Sequence, residues 1–325
     1  AVKGVAYIGA MQVLKSKGIL KDIVRIGGTS AGAINALLFG LNYSPEETKD
    51  ILFKLDFNNF LDDSWFFLCN IKRLVNNFGW HKGNYFHSWI SNLIKEKTGN
   101  PGSTFKEVKD QKQNSNFKDM YFISTNLSTG FAEVFSSEHT PQMRIADAVR
   151  MSMSIPLFFK AKRLDRGDVC IDGGVLDNYP IRLFDRQIYV EKYSITRDYY
   201  DEQNIELRPA KPYVLNKETL GFRLDSLKEI AVFRHHAALE YREIKDFSAF
   251  AFSLIKTVMG NQDSRHLHSN DWQRTIYIDT LGVNSTAFDI DDTKKEALVG
   301  SGIKYTNKYF DEWFDNPVES PINRA

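Results

Sequence analysis

A serine within a short run of small residues is the first feature of this sequence that could perform chemistry. Gly28-Thr29-Ser30-Ala31-Gly32 has the spacing G-x-S-x-G, which between a strand and a helix holds a nucleophilic serine on a strained, exposed turn. Small neighbours are needed because bulky side chains would collide across this turn. The N-terminus of the following helix favours negative charge that develops beside the serine. The motif therefore predicts that Ser30 is a nucleophile and that Gly28 and Gly32 shape its turn.

Two other interpretations fit the same glycine-rich turn, namely a purely structural turn and a phosphate-binding loop. A phosphate-binding loop needs the Walker lysine or a G-x-G-x-x-G spacing, and this turn has neither. Residues 19–26 read as a buried strand and residues 33–41 as a buried helix. This strand–turn–helix context favours the nucleophile over both alternatives.

A nucleophilic serine needs a general base, and an aspartate is a better candidate here than any histidine. Asp172 ends a short apolar run and is followed by Gly173 and Gly174, which let another backbone approach closely. Burial would raise the proton affinity of this carboxylate and make it a more effective base. Asp-Gly-Gly alone is more often a plain turn, but its combination with the Ser30 turn favours catalysis. The histidines lack the flanking residues of a triad histidine: His81, His87, His139, His235, His236, His266 and His268.

Composition limits the classes of protein to which the chain can belong. Among its 325 residues, 42 Lys and Arg face 41 Asp and Glu, so the net charge of +1 argues against a broad electrostatic grip on nucleic acid. The two cysteines, Cys69 and Cys170, cannot form a disulfide framework or a cysteine-rich metal site. We therefore predict no nucleic-acid partner and no cysteine-rich metal site. The longest apolar stretch is interrupted by Asn35 and Gly40 and is too short to span a bilayer.

The elements that must position these residues alternate along the chain between strands and helices. We predict an α/β fold with three layers, in which helices cover both faces of a mostly parallel central sheet. Residues 189–212 predict an irregular loop, and residues 224–255 a long helix. The further predicted helices are at 5–14, 145–153 and 291–313, and the further strands are at 121–125, 130–135, 169–171 and 275–279.

Residues 48–118 predict a helical insertion that is unusually rich in aromatic side chains. One interpretation is an ordinary helical subdomain with an aromatic core. The other is a cap or lipid-facing surface, because clustered exposed rings favour membrane interfaces. Trp65, Phe66 and Phe67 are the strongest candidates for lipid contact, since three adjacent rings cannot all face the core.

Several separated blocks together resemble the patatin-like phospholipase family, particularly its bacterial members. Gly28–Gly32 matches the nucleophile motif and Asp172-Gly173-Gly174 the family's D-G-G motif, as parts of a Ser-Asp dyad. The other blocks that agree in order are Lys3-Gly4 with residues 6–10, residues 152–159, Asn178-Tyr179-Pro180, residues 219–223 and residues 278–283. The resemblance extends from Ala1 to about Trp313, and it implies a single domain over residues 1–316 followed by a tail at 317–325.

The resemblance implies a phospholipase A-type lipid acyl hydrolase that cleaves carboxylic esters of glycerophospholipids through an acyl-enzyme. Ser30 would be the nucleophile and Asp172 the proton acceptor, and this chemistry requires no metal and no other cofactor. The family's oxyanion loop runs G-G-G-x-K/R-G, and Ala1 stands where its third glycine is expected. The oxyanion loop would then comprise Ala1, Val2, Lys3 and Gly4, whose backbone N–H groups do the work.

Two groups of alternatives remain open within the resemblance. A lysophospholipase, a thioesterase or an acyl transferase could use the same dyad, and a catalytically silent lipid-binding effector platform could use the same fold. The implied partner is a membrane phospholipid reached by peripheral contact, from a cytoplasmic location. A protein activator and a role as a bacterial secreted effector are both compatible with the resemblance.

Overall fold

The computed structural model of the chain describes residues 2–60, 76, 78–190, 215–226, 244, 250, 253–254, 257–258, 271, 274–283 and 289–314. Helices α1 to α8 span Ala6–Ser16, Ala31–Gly40, Pro45–Lys54, Asn84–Thr98, Phe105–Ser115, Ile145–Ser152, Gln187–Val190 and Asp292–Lys308. Strands β1 to β9 span Arg25–Gly28, Gly79–His81, Asp119–Asn126, Phe131–Ser136, Leu157–Phe159, Lys162–Arg163, Val169–Asp172, Gly221–Asp225 and Thr275–Asp279. Short 3₁₀ turns span Val2–Val5, Leu20–Asp22, Phe57–Phe60, Gly173–Val175 and Ile181–Phe184.

The central sheet is built around β3, which pairs with three other strands. β4 pairs with β3 from Tyr121 to Asn126 and occupies one edge of it. The opposite edge is shared, because β1 pairs with residues 119–122 and β7 with residues 124–126. β1 and β7 therefore end at the same place along β3. The last residue of β1 pairs with Phe122 and the last residue of β7 with Ser124, so only Ile123 separates them. β6 extends the sheet beyond β7.

Both faces of this sheet are covered, as the predicted layered fold requires. A Cβ added at Gly28 would lie 2.2 Å from the carbonyl oxygen of Gly32, so this face touches the start of α2. A Cβ added at Gly27 would lie 2.7 Å from the side chain of Leu183 on the other face. The rings of Tyr121 and Phe184 also meet there, 5.0 Å apart. The α/β class is confirmed, with helical segments on each side.

Strand directions differ from the mostly parallel sheet that we predicted. In the five-stranded sheet β1 and β3 run parallel, whereas the pairs β3–β4, β3–β7 and β6–β7 are antiparallel. Residues 127–130 and 164–168 are the connections within two of these pairs, and links this short can only join antiparallel neighbours. Parallel pairing occurs also between β2 and β5 and between β8 and β9.

The remaining described elements agree with the sequence patterns in most places. The predicted strand over 19–26 is wrong in its first half, where polar Lys21 and Asp22 belong to a 3₁₀ turn before β1. The helix predicted from Leu224 is wrong at its start, because this leucine lies in β8, whose side chains alternate in burial. Tyr189 is buried at the end of α7 rather than in a loop. Residues 191–214 and most of 227–255 lie outside the described residues.

The predicted insertion over 48–118 contains α4, α5, most of α3 and also the short strand β2, which was not expected. Phe57, Phe60 and Phe86 are buried, and the rings of Phe60 and Phe86 pack at 5.0 Å. For these rings the core interpretation holds. Trp65, Phe66 and Phe67 lie outside the described residues, so their predicted lipid contact stays a prediction. Within the described ranges, the helices lack the combined length and apolar character that crossing a bilayer requires.

Candidate active site

Ser30 lies on a strained turn between β1 and α2. Its backbone has φ 53° and ψ −122°, a conformation that residues other than glycine rarely adopt. The turn is closed by the N–H of Gly32, which donates to the carbonyl of Thr29 at 2.8 Å, and by the N–H of Ala33, which donates to Ser30 O at 2.9 Å. Ser30 stays partly accessible, and the first turn of α2 starts beside it. This geometry is that of a nucleophile elbow, in which strain displays the hydroxyl.

Gly28 is required at this turn because of its packing. A Cβ at this position would lie 2.2 Å from the carbonyl oxygen of Gly32, a distance at which backbone would have to move. At Gly32 itself a Cβ would meet no atom within 4 Å. The first glycine of the motif therefore permits the fold of the elbow, whereas the second leaves open space next to Ser30.

Asp172 is fully buried at the end of β7. Its Oδ1 accepts a hydrogen bond from the N–H of Gly174 at 2.8 Å, and its own N–H donates to the carbonyl of Ser154 at 2.8 Å. Among the described residues, none forms a hydrogen bond of ordinary geometry with Oδ2. An unsatisfied buried carboxylate oxygen is costly, and such atoms concentrate where a protein needs a proton acceptor.

The two turns meet because β1 and β7 share one edge of β3. A Cβ at Gly173 would lie 2.3 Å from Ile123 O and 2.9 Å from the Thr29 side chain. The hydroxyl of Thr29 also donates to the carbonyl of Asp177 at 3.1 Å. The Asp-Gly-Gly turn thus packs directly against the residue that precedes Ser30. The predicted pair is brought together across 142 positions of sequence, from 30 to 172.

The environment of Asp172 favours proton uptake. Burial raises the pKa of its carboxyl group from 3.8 to about 6, against the opposing effects of the Gly174 N–H and the Ser30 hydroxyl. The Ser30 hydroxyl is close enough to lower this pKa, but it forms no hydrogen bond of ordinary geometry with Oδ2. A catalytic hydrogen bond that tightens only when substrate binds is common. A carboxyl group with a pKa of about 6 can accept and release a proton near neutral pH.

Helix α6 and the residues after it hold both members of the pair. The hydroxyl of buried Ser152 accepts the backbone N–H of Ser30 at 3.2 Å. Two residues later, the carbonyl of Ser154 accepts the N–H of Asp172. From the sequence, Ser152 and Ser154 had no predicted role beyond their place in the block that resembles the family. The only available signal was the presence of two small polar residues in an otherwise apolar run.

Arg150 is a third buried polar residue that the sequence did not single out. Its guanidinium donates to the hydroxyl of Ser154 at 2.7 Å and to the carbonyls of Lys82, Gly83 and Lys160 at 3.0 to 3.3 Å. It also lies 5.0 Å from the ring centroid of Phe159. Arg150 therefore fastens the β2–β5 ribbon to the end of α6, next to the segment that holds Asp172.

Three of the four predicted oxyanion residues are described, and they lie against the nucleophile helix. Val2, Lys3 and Gly4 form a 3₁₀ turn before α1. A Cβ at Gly4 would lie 2.8 Å from the amide nitrogen of Asn35 and 3.4 Å from Ala31 O, so this glycine touches the first turn of α2. Ala1 lies outside the described residues. The turn is thus beside the elbow, as the prediction requires.

Described histidines lie in other environments. His87 Nε2 is 3.1 Å from Asp147 Oδ1, and His139 Nδ1 is 2.8 Å from the hydroxyl of Ser136. His81 lies in β2, with its ring 4.6 Å from that of Phe158. The remaining histidines, from His235 to His268, lie outside the described residues. In the described part of the chain, no three His, Cys, Asp or Glu side chains converge as a metal site would need.

Comparisons with known proteins agree with this geometry. Residues 1–185 match the family model described as patatin-like phospholipase. An uncharacterized protein of Acanthamoeba polyphaga mimivirus is 33% identical over 303 residues, which cover 93% of this chain and 88% of the viral protein. A protein of Invertebrate iridescent virus 6 named as a probable lipid hydrolase is 28% identical over 186 residues, or 56% of this chain and 59% of that protein.

A solved structure supports the fold. The crystal structure of VipD from Legionella pneumophila superposes with a TM-score of 0.59 at 15% sequence identity. The match covers 96% of this chain but 65% of the VipD chain, so this chain spans less than two thirds of that length. At this level of identity the likeness concerns the fold alone.

Proposed function

Because the chain belongs to the patatin-like phospholipase family, we propose that it hydrolyses carboxylic esters of glycerophospholipids with Ser30 and Asp172 as a catalytic dyad. The family assignment makes it a lipolytic hydrolase; the ester, the dyad and the mechanism are the proposal. One observation carries it: a fully buried carboxylate with a free oxygen lies beside a serine on a strained elbow. The fold provides no comparable reason to hold either residue in so costly a state.

The first half of the reaction forms an acyl-enzyme. As the Ser30 oxygen attacks the acyl carbonyl, its proton passes to Oδ2 of Asp172, which is the carboxylate oxygen without a hydrogen bond. The other oxygen remains held by the Gly174 N–H, so the carboxylate keeps its orientation while it takes up the proton. The alcohol portion of the lipid then leaves with that proton, and the acyl group stays on Ser30.

The second half releases the fatty acid. Asp172, again deprotonated, removes a proton from water as the water attacks the acyl-enzyme. The proton then returns to the Ser30 oxygen when the carbonyl–serine bond breaks. The same base therefore serves both half-reactions, and a pKa near 6 allows it to accept and to release the proton at neutral pH.

Backbone donors beside the elbow would stabilise the oxyanion in both half-reactions. The 3₁₀ turn Val2–Val5 lies against the first turn of α2, the helix end that carries partial positive charge. Backbone donors need no particular side chain, so alanine at position 1 is compatible with the role proposed for Ala1, Val2, Lys3 and Gly4.

We further propose that the enzyme acts at a membrane surface as a peripheral protein, since its substrate resides there. A probable lipid hydrolase among the relatives supports a lipid substrate. A lysophospholipase, thioesterase or acyl transferase would use the same dyad, and the products distinguish them. A cytoplasmic location, a protein activator and an effector role stay predictions.

The test compares wild type with Ser30→Ala and follows both covalent labelling and products. A fluorophosphonate probe should label wild type only, and wild type should release fatty acid from phospholipid vesicles. Ser30→Ala removes one hydroxyl from a turn, so its thermal unfolding should match that of wild type. Labelling or fatty-acid release that persists in Ser30→Ala would contradict the assignment of the nucleophile. A folded wild type that is neither labelled nor active would favour the silent lipid-binding platform.

A further inference from the structure

The β2–β5 ribbon carries two exposed apolar residues with unusual backbone conformations. Phe78 has φ 62° and is 45% exposed, and Leu157 has φ 63° and is 38% exposed. Bulky residues almost never adopt a left-handed backbone, and where they do, the conformation is held by the surrounding structure and tends to mark a functional surface. These two are also neighbours, because Leu157 pairs with Gly79, the residue after Phe78.

Cations without acidic partners lie at both ends of the ribbon that carries this apolar pair. Lys82 and Lys160 are exposed where the two strands of the ribbon end. The guanidinium of Arg163 lies 5.9 Å from the ring centroid of Phe78. Within the described part of the chain, none of these three side chains forms an ion pair with a carboxylate, and Arg163 donates instead to the carbonyl of Gly167.

Nearby cations that do have acidic partners make the contrast clear. Arg166 forms ion pairs with Glu133 and Asp168, and Lys162 lies 3.8 Å from Asp147. These charges are locally compensated and do not contribute to an uncompensated surface. What remains is an uncompensated basic and apolar surface made of Phe78, Lys82, Leu157, Lys160 and Arg163, which we name the ribbon patch.

The ribbon patch is next to the candidate active site. Leu157 follows Ser154 by three residues, a separation of at most about 11 Å along the chain, and Ser154 O accepts the N–H of Asp172. Arg163 pairs with Val169, the first residue of the strand that ends in Asp172. Arg150 fixes the ribbon to the same segment through Lys82 O and Lys160 O. A surface held so firmly beside the dyad can present it to a ligand in one orientation.

We propose that the ribbon patch docks the enzyme on an anionic phospholipid membrane, with Phe78 and Leu157 entering the acyl-chain boundary and the three cations contacting lipid phosphates. Exposed apolar side chains flanked by cations suit the interface of an anionic bilayer, which offers hydrocarbon and negative charge at adjacent depths. The inference deepens the proposed function and rests on it, since it assigns the orientation in which a lipid ester reaches Ser30.

Vesicle binding measured without turnover tests the docking surface. The parent is Ser30→Ala, and its sedimentation is measured with vesicles of phosphatidylcholine alone and with one part in three of phosphatidylserine. The apolar variant is Phe78→Asn with Leu157→Asn, because asparagine tolerates a left-handed backbone. The charge variant is Lys82→Gln with Lys160→Gln. Leu281→Asn is the matched control, because Leu281 is also 50% exposed with φ 53° but lies after β9.

The apolar variant should bind both kinds of vesicle at least about tenfold more weakly than the parent. The charge variant should lose about 30-fold on anionic vesicles only, and 0.5 M salt should remove that difference. Leu281→Asn should bind like the parent. Unchanged binding by both folded variants, or an equal loss in the control, would overturn the inference.

Hydrolysis of a short soluble ester, measured with Ser30 present, should be the same in all variants. Absence of this hydrolysis in wild type would contradict the proposed function while leaving the binding result intact.

Discussion

The backbone N–H of Ser30 donates a hydrogen bond to the hydroxyl of Ser152 at 3.2 Å. Residues on strained turns keep their conformation only when the surroundings impose it, and Ser152 is buried on a helix that packs against β3 and β7. The contact therefore anchors the elbow to the same segment whose Ser154 carbonyl holds Asp172. A single stretch of chain sets the position of both proposed catalytic residues.

Removing this anchor should impair turnover more than it impairs folding. We expect Ser152→Ala to lower kcat for a short soluble ester by about tenfold or more, because an unpartnered N–H costs about 1–3 kcal/mol and lets the elbow relax. KM should change little. Ser103→Ala is the control, since Ser103 is equally buried and donates to Thr98 and Asn100 away from the elbow. Equal kcat in the two variants at matched thermal stability would show that Ser152 has no positioning role.

The pH dependence of hydrolysis should report the raised pKa of Asp172. Only the deprotonated carboxylate can accept the Ser30 proton, so kcat/KM for a soluble ester should rise with pH, pass its midpoint at about 6 and level off above it. An aspartate with an ordinary pKa would give a flat profile above pH 5. Initial rates between pH 4.5 and 9 on a buffer series of constant ionic strength decide between these outcomes.

Asp172→Asn should lower the catalytic rate and, at neutral to alkaline pH, raise the stability of the fold. The amide keeps the size of the carboxyl and can still accept the Gly174 N–H, but it cannot accept a proton, so kcat should fall by about 10² to 10⁴. The folded-state pKa exceeds that of the free carboxyl, so wild type loses stability as pH rises from about 4 through about 6. Asparagine has no such loss.

At pH 8 the variant should therefore be more stable than wild type, by up to about 3 kcal/mol in the free energy of unfolding. Below pH 4 the two proteins should unfold alike. Urea denaturation at both pH values measures this difference. If wild type were the more stable protein at pH 8, favourable partners would have to stabilise the ionised carboxylate of Asp172. That result would contradict a carboxylate destabilised by burial.

Local chemistry could be predicted from the sequence, whereas the assembly of the site could not. Glycines stand at fixed spacings beside Ser30 and Asp172, as tight turns of this kind require. Such a local motif can be identified without knowing how the rest of the chain folds. Their proximity depends on β1 and β7 pairing with one edge of β3. The pairing of strands distant in sequence leaves no local pattern, and we predicted a mostly parallel sheet where three of the four strand pairs in this sheet are antiparallel.

The supporting residues were missed for a related reason. Arg150 and Ser152 lie in an apolar helix, where a charged or polar residue normally marks the solvent side. Both are buried here because carbonyl groups and one backbone N–H from other segments satisfy them. Only the folded chain supplies those partners. The strand β8 was missed although its burial alternates, since Leu224 also fits the start of a helical pattern.

The contact between the two turns should make Gly173 intolerant of any side chain. A Cβ there would lie 2.3 Å from Ile123 O and 2.9 Å from the Thr29 side chain, so Gly173→Ala must push the Asp-Gly-Gly turn away from the elbow. A displacement of about 1 Å in a catalytic group can reduce a rate by about 10², and we expect a loss of at least that size in kcat for a soluble ester.

Gly300→Ala is the control, because a Cβ at Gly300 in α8 would meet no atom within 4 Å and alanine favours helix. The control should keep full activity and unfold at the same or a higher temperature. If Gly173→Ala retained wild-type kcat, the close packing of the aspartate turn on Thr29 would not be what sets the geometry of the dyad.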